Sequence, residues 1–287
     1  MKIGLSTFAL AKAIRSGQLS VVEAIQWTAD NGGDFVEIVP VGFDLEQEPG
    51  LIEPMRAKAA EAGIELAHYC IGASFVGKSD QEWQDEVDRV KRHVDIVHQL
   101  GMKAMRHDAA SRPLAQCGLD YFEADLPAIV EASRIIADYA AGYGITTSIE
   151  NHGLYVEASE RVRRVIRLVD RPNFKTTIDI GNFLFAGEDP LSAVQKNLPV
   201  ASMVHLKDFF VRPPGFNAGE GFKPLPNGST FRSTIFGHGD LNVRQMMRAI
   251  KHSDFNGLLS LEFNGIEDCL LASRIGLANA KRIWDEA

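Results

Sequence analysis

The sequence predicts an α/β fold, a single (β/α)8 barrel spanning residues 1–287. Three observations point to it: a repeated junction in which a helix stops at Gly and a short β-rich run follows, eight such runs along the chain, and no linker dividing them. Gly lacks a Cβ and takes the left-handed conformation that halts a helix. The junctions fall at Gly32-Gly33, Gly63, Gly101, Gly144 and Gly257. Pro172 and Pro199, which cannot continue a helix, precede two more runs. Strands alternating with helices imply a parallel sheet. Eight units close naturally into a barrel, a doubly wound open sheet being the structural alternative.

The elements follow in order. KIGLSTFAL opens the chain as the first strand, and Ser20 with Glu23 forms a capping box for the next helix. DFVEIVPVG and IELAHYCIG supply strands two and three. Ser79 with Glu82 caps a helix whose Trp83, Val87, Val90, Val94 and Val97 form one apolar stripe. MKAMRHDAA is the fourth strand, and Phe122, Leu126, Ile129 and Ile136 mark the face of the helix after it. ITTSIENHG, FKTTIDIGN, VASMVHLKD and LLSLEFNG complete the set. Between the last two lies an irregular Gly- and Pro-rich segment, 209–239, carrying Phe209, Phe210, Phe216, Phe222, Phe231 and Phe236. Loops beyond about 12–15 residues in a compact domain are usually functional or disordered. So many phenylalanines suggest a lid over the barrel mouth, or a subunit contact.

Composition narrows the function. Hydrophobic residues make up 45% and charged residues 24%, as in folded globular chains. Thirty Lys and Arg against 38 Asp and Glu give a net charge of −8, which offers nothing to a polyphosphate backbone and argues against nucleic acid as a partner. Cys70, Cys117 and Cys269 form no CxxC pair, which fits a reducing compartment. With no run near the ~18 apolar residues of a membrane span and no apolar leader at Met1, a cytoplasmic enzyme without a membrane partner is expected. Self-association into a homo-oligomer stays open.

In such barrels the C-terminal strand ends converge on one face. The last four runs place Glu150, Asp179, His205 and Glu262 there. Three carboxylates and an imidazole suit one hard or borderline divalent ion, Mn2+, Mg2+, Co2+ or Zn2+, which would offset the repulsion among clustered anions. Glu37, His68, His107, Asp108 and His152 occupy other strand ends and are candidates for substrate hydroxyls; His152, two residues past Glu150, is also a candidate base. Lys207 is placed to stabilise an oxyanion or to pair with Asp208. His93, His98 and His252 fall on helices and read as surface residues.

The motifs IENHG, TIDIGN, VHLKD and LEFNG, in that order, resemble the xylose isomerase-like barrel superfamily of sugar phosphate isomerases and epimerases, and the resemblance extends over the whole chain. It implies one divalent ion, Mn2+ first, on Glu150, Asp179, His205 and Glu262, with Glu150 and Glu262 as the acid/base pair. The implied substrate is a small carbohydrate, and the implied reaction is isomerisation or epimerisation by proton transfer through an enediolate. Two departures from the ketohexose 3-epimerase pattern stand out: Asn182 replaces a substrate-binding His, and Val211 with Arg212 alongside replaces a substrate-binding Arg. A lyase or dehydratase acting on a keto-sugar, 3-keto-glycoside or keto-inositol is therefore the alternative. An apurinic-site endonuclease would need more His ligands and a basic face, and a non-catalytic sugar-binding barrel would not need the quartet.

Overall fold

The computed structural model describes residues 1–287 and contains the expected closed barrel. Its strands are β1 (Ile3–Ser6), β2 (Phe35–Ile38), β3 (Glu65–Ile71), β4 (Ala104–His107), β5 (Thr146–Glu150), β6 (Phe174–Asp179), β7 (Ala201–Leu206) and β11 (Leu258–Leu261), each parallel to its neighbours. Closure occurs where Ile3, Gly4 and Leu5 of β1 pair with Leu259, Ser260 and Leu261 of β11.

Around the barrel stand α2 (Val21–Asp30), α3 (Ile52–Ala62), α4 (Asp80–Gln99), α5 (Leu119–Ala141), α6 (Ser159–Val169), α7 (Pro190–Asn197), α8 (Val243–Lys251) and α9 (Cys269–Glu286), with the short α1 (Ala11–Arg15) after β1. Both capping boxes form: Ser20 and Ser79 accept the amides of Glu23 and Glu82, whose carboxylates accept the serine amides in return. Such a cap is worth about 0.5–2 kcal/mol against Ala. Val87, Val90, Val94 and Val97 are fully buried in the core between α4 and the barrel. No helix is long and apolar enough to cross a membrane.

Two glycines show different reasons for the same residue. Gly63 caps α3 at φ 66°, in the left-handed region. Gly257 departs from the expectation: α8 has already ended at Lys251, and Gly257 is needed because a Cβ there would lie 2.2 Å from the Ser202 carbonyl oxygen of β7. It permits close strand approach rather than stopping a helix.

Two further expectations are corrected. Segment 209–239 is not irregular throughout; β8 (Asp208–Arg212), β10 (Thr230–Thr234) and β9 (Lys223–Pro224) form an antiparallel sheet above the barrel. His93 is buried, not on the surface, with Nδ1 3.0 Å from the Tyr69 hydroxyl and Nε2 3.1 Å from Glu46. It faces inward because it shares the buried side of α4 with Val90 and Val97.

Candidate metal centre and active-site cavity

The ends of β5, β6 and β7 and the residue just past β11 bring Glu150, Asp179, His205 and Glu262 together, and ligand atoms of all four lie within 4.8 Å of one another. All are buried. His205 Nδ1 is 3.2 Å from Glu150 Oε1 and 3.3 Å from Glu262 Oε1. Its other nitrogen, Nε2, is 2.9 Å from Glu37 Oε1. An ionised carboxylate only accepts, so Nε2 donates to Glu37, and without an ion Nδ1 would donate to Glu150 and Glu262 as well. A bound divalent ion would take the place of the Nδ1 proton and receive the Nδ1 lone pair, leaving Nε2–H on Glu37. Burial alone would lower the His205 pKa, but Glu37, Glu262 and Glu150 hold it well above its usual value. The donor set of one nitrogen and three carboxylates therefore fits a hard or borderline divalent ion.

Two cations border the quartet. Lys207 Nζ lies 2.5 Å from Asp179 Oδ2 and 2.8 Å from Glu262 Oε2. It does not pair with Asp208. Arg106 of β4 pairs with Glu150 Oε2 and reaches Asp108 Oδ1 at 3.1 Å. Burial would raise the Glu150 carboxyl, yet Arg106 and His205 hold it well below the usual carboxylate range. Asp179 moves the other way: burial first, then Glu150 and Glu262, raise it against the pull of Lys207.

Glu37 was expected to meet substrate. It lies beneath the quartet instead, fully buried, accepting from His205 Nε2 and His68 Nδ1 at 2.9 Å each and from the Ser260 hydroxyl at 2.7 Å, with the Cys70 thiol at 2.9 Å. His68 is held in that same layer, away from the cavity. His107 points outward from the barrel, between Phe75 and Phe174, because side chains alternate along β4 and Arg106 takes the inward position. Burial pushes the His107 pKa down to about 4.

Above the quartet opens a cavity of about 1010 Å³, at the upper end of small-molecule sites. Asp108, His152, Asn182 and Lys207 line it, as expected of residues at the mouth. His152 Nδ1 is 3.1 Å from Asp108 Oδ1, and its side chain is 48% exposed, leaving the ring within reach of a ligand. Burial acts to lower its pKa, but Asp108 brings it up to about 9. Phe185, Phe209 and Phe231 form one wall, with ring centroids 4.8–5.8 Å apart. The sheet that supplies two of them is tied down by Asp208, whose carboxylate accepts the amides of Phe209, Gly237, Gly239 and Leu241.

Arg212 is not on the cavity: it pairs with Asp240 at 2.7 Å, and Arg232, opposite Phe210 in the sheet, takes the lining position. Sequence reasoning missed Arg106, Arg232, Phe185 and Glu157. Arg106 was within reach, since strand alternation forbids both Arg106 and His107 from facing inward. The others depend on loop paths without a sequence signature.

The model of the xylose isomerase-like TIM barrel family matches residues 25–286. The chain belongs to this family. The chain is 20% identical over 262 residues to an inosose dehydratase of Geobacillus thermodenitrificans, covering 84% of this chain and 88% of the relative. The probable 3-DHS dehydratase AsbF of Bacillus anthracis superposes with a TM-score of 0.76 at 17% identity, over 98% of this chain and 99% of that one. The 3-keto-D-glucoside 4-epimerase YcjR of E. coli does so with a TM-score of 0.73 at 18% identity, over 98% and 99%. Members of the family thus include sugar-modifying enzymes of more than one reaction class.

Proposed function

We propose that this barrel is a divalent-metal-dependent dehydratase of a ketosugar or keto-polyol. One observation carries the choice over epimerisation. A pair of carboxylates working as acid and base requires Glu150 to exchange a proton, but Arg106, a permanently charged guanidinium, pairs with its outer oxygen. His152, anchored by Asp108 on the cavity wall, is the group free to transfer one. The inosose dehydratase relative, 20% identical, supports the same reading.

Glu150, Asp179, His205 and Glu262 would hold the ion, Mn2+ first among Mn2+, Mg2+, Co2+ and Zn2+. When bound, it would polarise a substrate carbonyl and acidify the adjacent C–H. Glu262 accepts that proton; its partner Lys207 is a labile ammonium, unlike the fixed guanidinium on Glu150. Lys207 and Arg106 place positive charge beside the oxygen that gains electron density. The electron pair of the C–H bond forms the C=C bond and expels the β-hydroxyl. His152, protonated at neutral pH, gives its proton to that hydroxyl, which leaves as water. The Phe185, Phe209 and Phe231 wall limits solvent entry.

The test is to incubate the Mn2+-loaded protein with an inosose, ketohexoses and 3-keto-glycosides and to follow product mass. Loss of one water from any of them is the expected result. Products of unchanged mass would replace dehydration by epimerisation or isomerisation at the same site.

A further inference from the structure

The cavity is electrically divided. Its acidic lining residues, Asp108, Glu150, Glu157 and Glu262, come from strand ends β4, β5 and β11 and the loop after β5. Its remaining cations, Lys12, Lys223 and Arg232, come from α1, β9 and β10 and share the outer half with the aromatic wall. Neither lysine has a carboxylate within ion-pair distance; Lys12 Nζ contacts only the Gly265 carbonyl oxygen, at 2.6 Å. Arg232 has one distant carboxylate, Glu267, at 3.8 Å.

These groups converge. Arg232 packs over Gly221, which also abuts Ile266, while Lys12 is bonded to the residue before Ile266. Lys223 is the cross-strand partner of Phe231 and lines the same cavity as Arg232. The guanidinium is 5.1 Å from the Phe210 ring and 5.5 Å from that of Phe222, contacts that fix its plane. In a chain of net charge −8, clustered cations without close partners create a local positive field inside a partly apolar mouth.

We propose that the outer half of the cavity is an anion subsite. Lys12, Lys223 and Arg232 receive a carboxylate or phosphate that the substrate carries several bonds from the oxygens reaching Glu150 and Glu262. The substrate is then an anionic keto-sugar, and the Phe185, Phe209 and Phe231 wall packs against its carbon skeleton. This deepens the dehydratase reading by naming a substrate class and rests on the same cavity.

Equilibrium binding with non-reacting probes separates the two ideas. Isothermal titration calorimetry with D-glucose 6-phosphate, D-glucuronate and D-glucose is expected to show at least one charged probe binding roughly 10-fold or more tightly than glucose, a difference of ~1.4 kcal/mol. Whichever charged probe binds more tightly identifies the anion. Lys223→Met with Arg232→Met should erase the preference, Arg232→Lys alone should retain most of it, and added salt should weaken it. Equal binding of all three probes, or a preference unchanged in the double variant, overturns the subsite. If the preference holds while no keto-sugar loses water, the subsite stands and the dehydratase reading falls.

Discussion

Replacing Glu37 tests whether the carboxylate beneath the quartet governs metal affinity. Glu37 accepts from His205 Nε2 at 2.9 Å and thereby fixes the tautomer that turns Nδ1 toward Glu150 and Glu262. Hydrogen bonds to charged groups contribute about 1.5–3 kcal/mol. At ~1.4 kcal/mol per tenfold, losing one would weaken metal binding by about 10- to 100-fold, the range usual for partners behind a ligand. Glu37→Gln keeps one acceptor oxygen for His205 and can turn its NH2 toward the Ser260 hydroxyl, which rotates to accept, so it belongs at ~10-fold. Glu37→Met removes the acceptor and belongs nearer ~100-fold. The assay is Mn2+ affinity by chelator competition, with urea denaturation of the metal-free variants as the control for damaged packing. A Kd within about twofold of wild type in Glu37→Met would refute the assignment of His205 orientation to Glu37.

Other outcomes follow from the same geometry. His152→Gln should lower turnover by about 100-fold or more, the scale of a lost acid/base group, while Mn2+ affinity stays near wild type. Parallel loss of both would make His152 a metal-site residue instead. Glu262→Gln, which loses the proton acceptor, and Glu150→Gln, which loses a carboxylate ligand, should each lower turnover at least ~100-fold, and chelator-treated protein should be inactive until Mn2+ is restored; full activity without metal sinks the quartet as an ion site. His107, held neutral by burial with its pKa lowered from 6.5 to about 4, opposes protonation in the folded state. Its contribution is fully present above pH 6.5 and is lost as pH falls through 4, on the order of 3 kcal/mol in all. Urea titrations should show a shallower loss across that window in His107→Gln than in wild type, and an unchanged slope removes His107 as the cause. Gly257→Ala forces a Cβ against the Ser202 carbonyl oxygen and should cost about 1–3 kcal/mol in the same assay, whereas a neutral effect would mean that β7 and β11 separate freely.

The barrel was legible because its signal is local: helix stops, apolar runs and capping boxes sit within a few residues of one another. The quartet was legible for a related reason, since the C-terminal ends of parallel barrel strands converge on one face. What joins distant parts of the chain was not. Glu37 was marked as polar at a strand end, yet its partner His205 is 168 residues away and meets it only because the sheet closes through β1 and β11. His107 was chosen over Arg106 by residue type, when the alternation along β4 decides which faces inward. The six phenylalanines of 209–239 signalled a packed segment, but Thr230–Thr234 pairing with Asp208–Arg212, and hence Arg232 rather than Arg212 at the cavity, is a matter of register.

Charge balance bears on how many ions the proposed site would hold. Around the quartet, Glu37, Asp108, Glu150, Asp179 and Glu262 face Arg106, Lys207 and, with its raised pKa of about 9, a protonated His152. With the proposed ion bound His205 would be neutral, and five negative groups against three positive would leave an excess of two, which one divalent cation would neutralise. A second ion on Glu150 would have to displace Arg106 from the outer oxygen. Few imidazoles are free for it, because His68 is committed to Glu37, His107 faces away from the barrel interior and His152 is held by Asp108. The polynuclear arrangement of a DNA-repair endonuclease therefore has no foothold in this barrel. In the proposed dehydratase, the same arginine that would deny Glu150 a second ion would also deny it a proton, leaving proton transfer at that wall to His152.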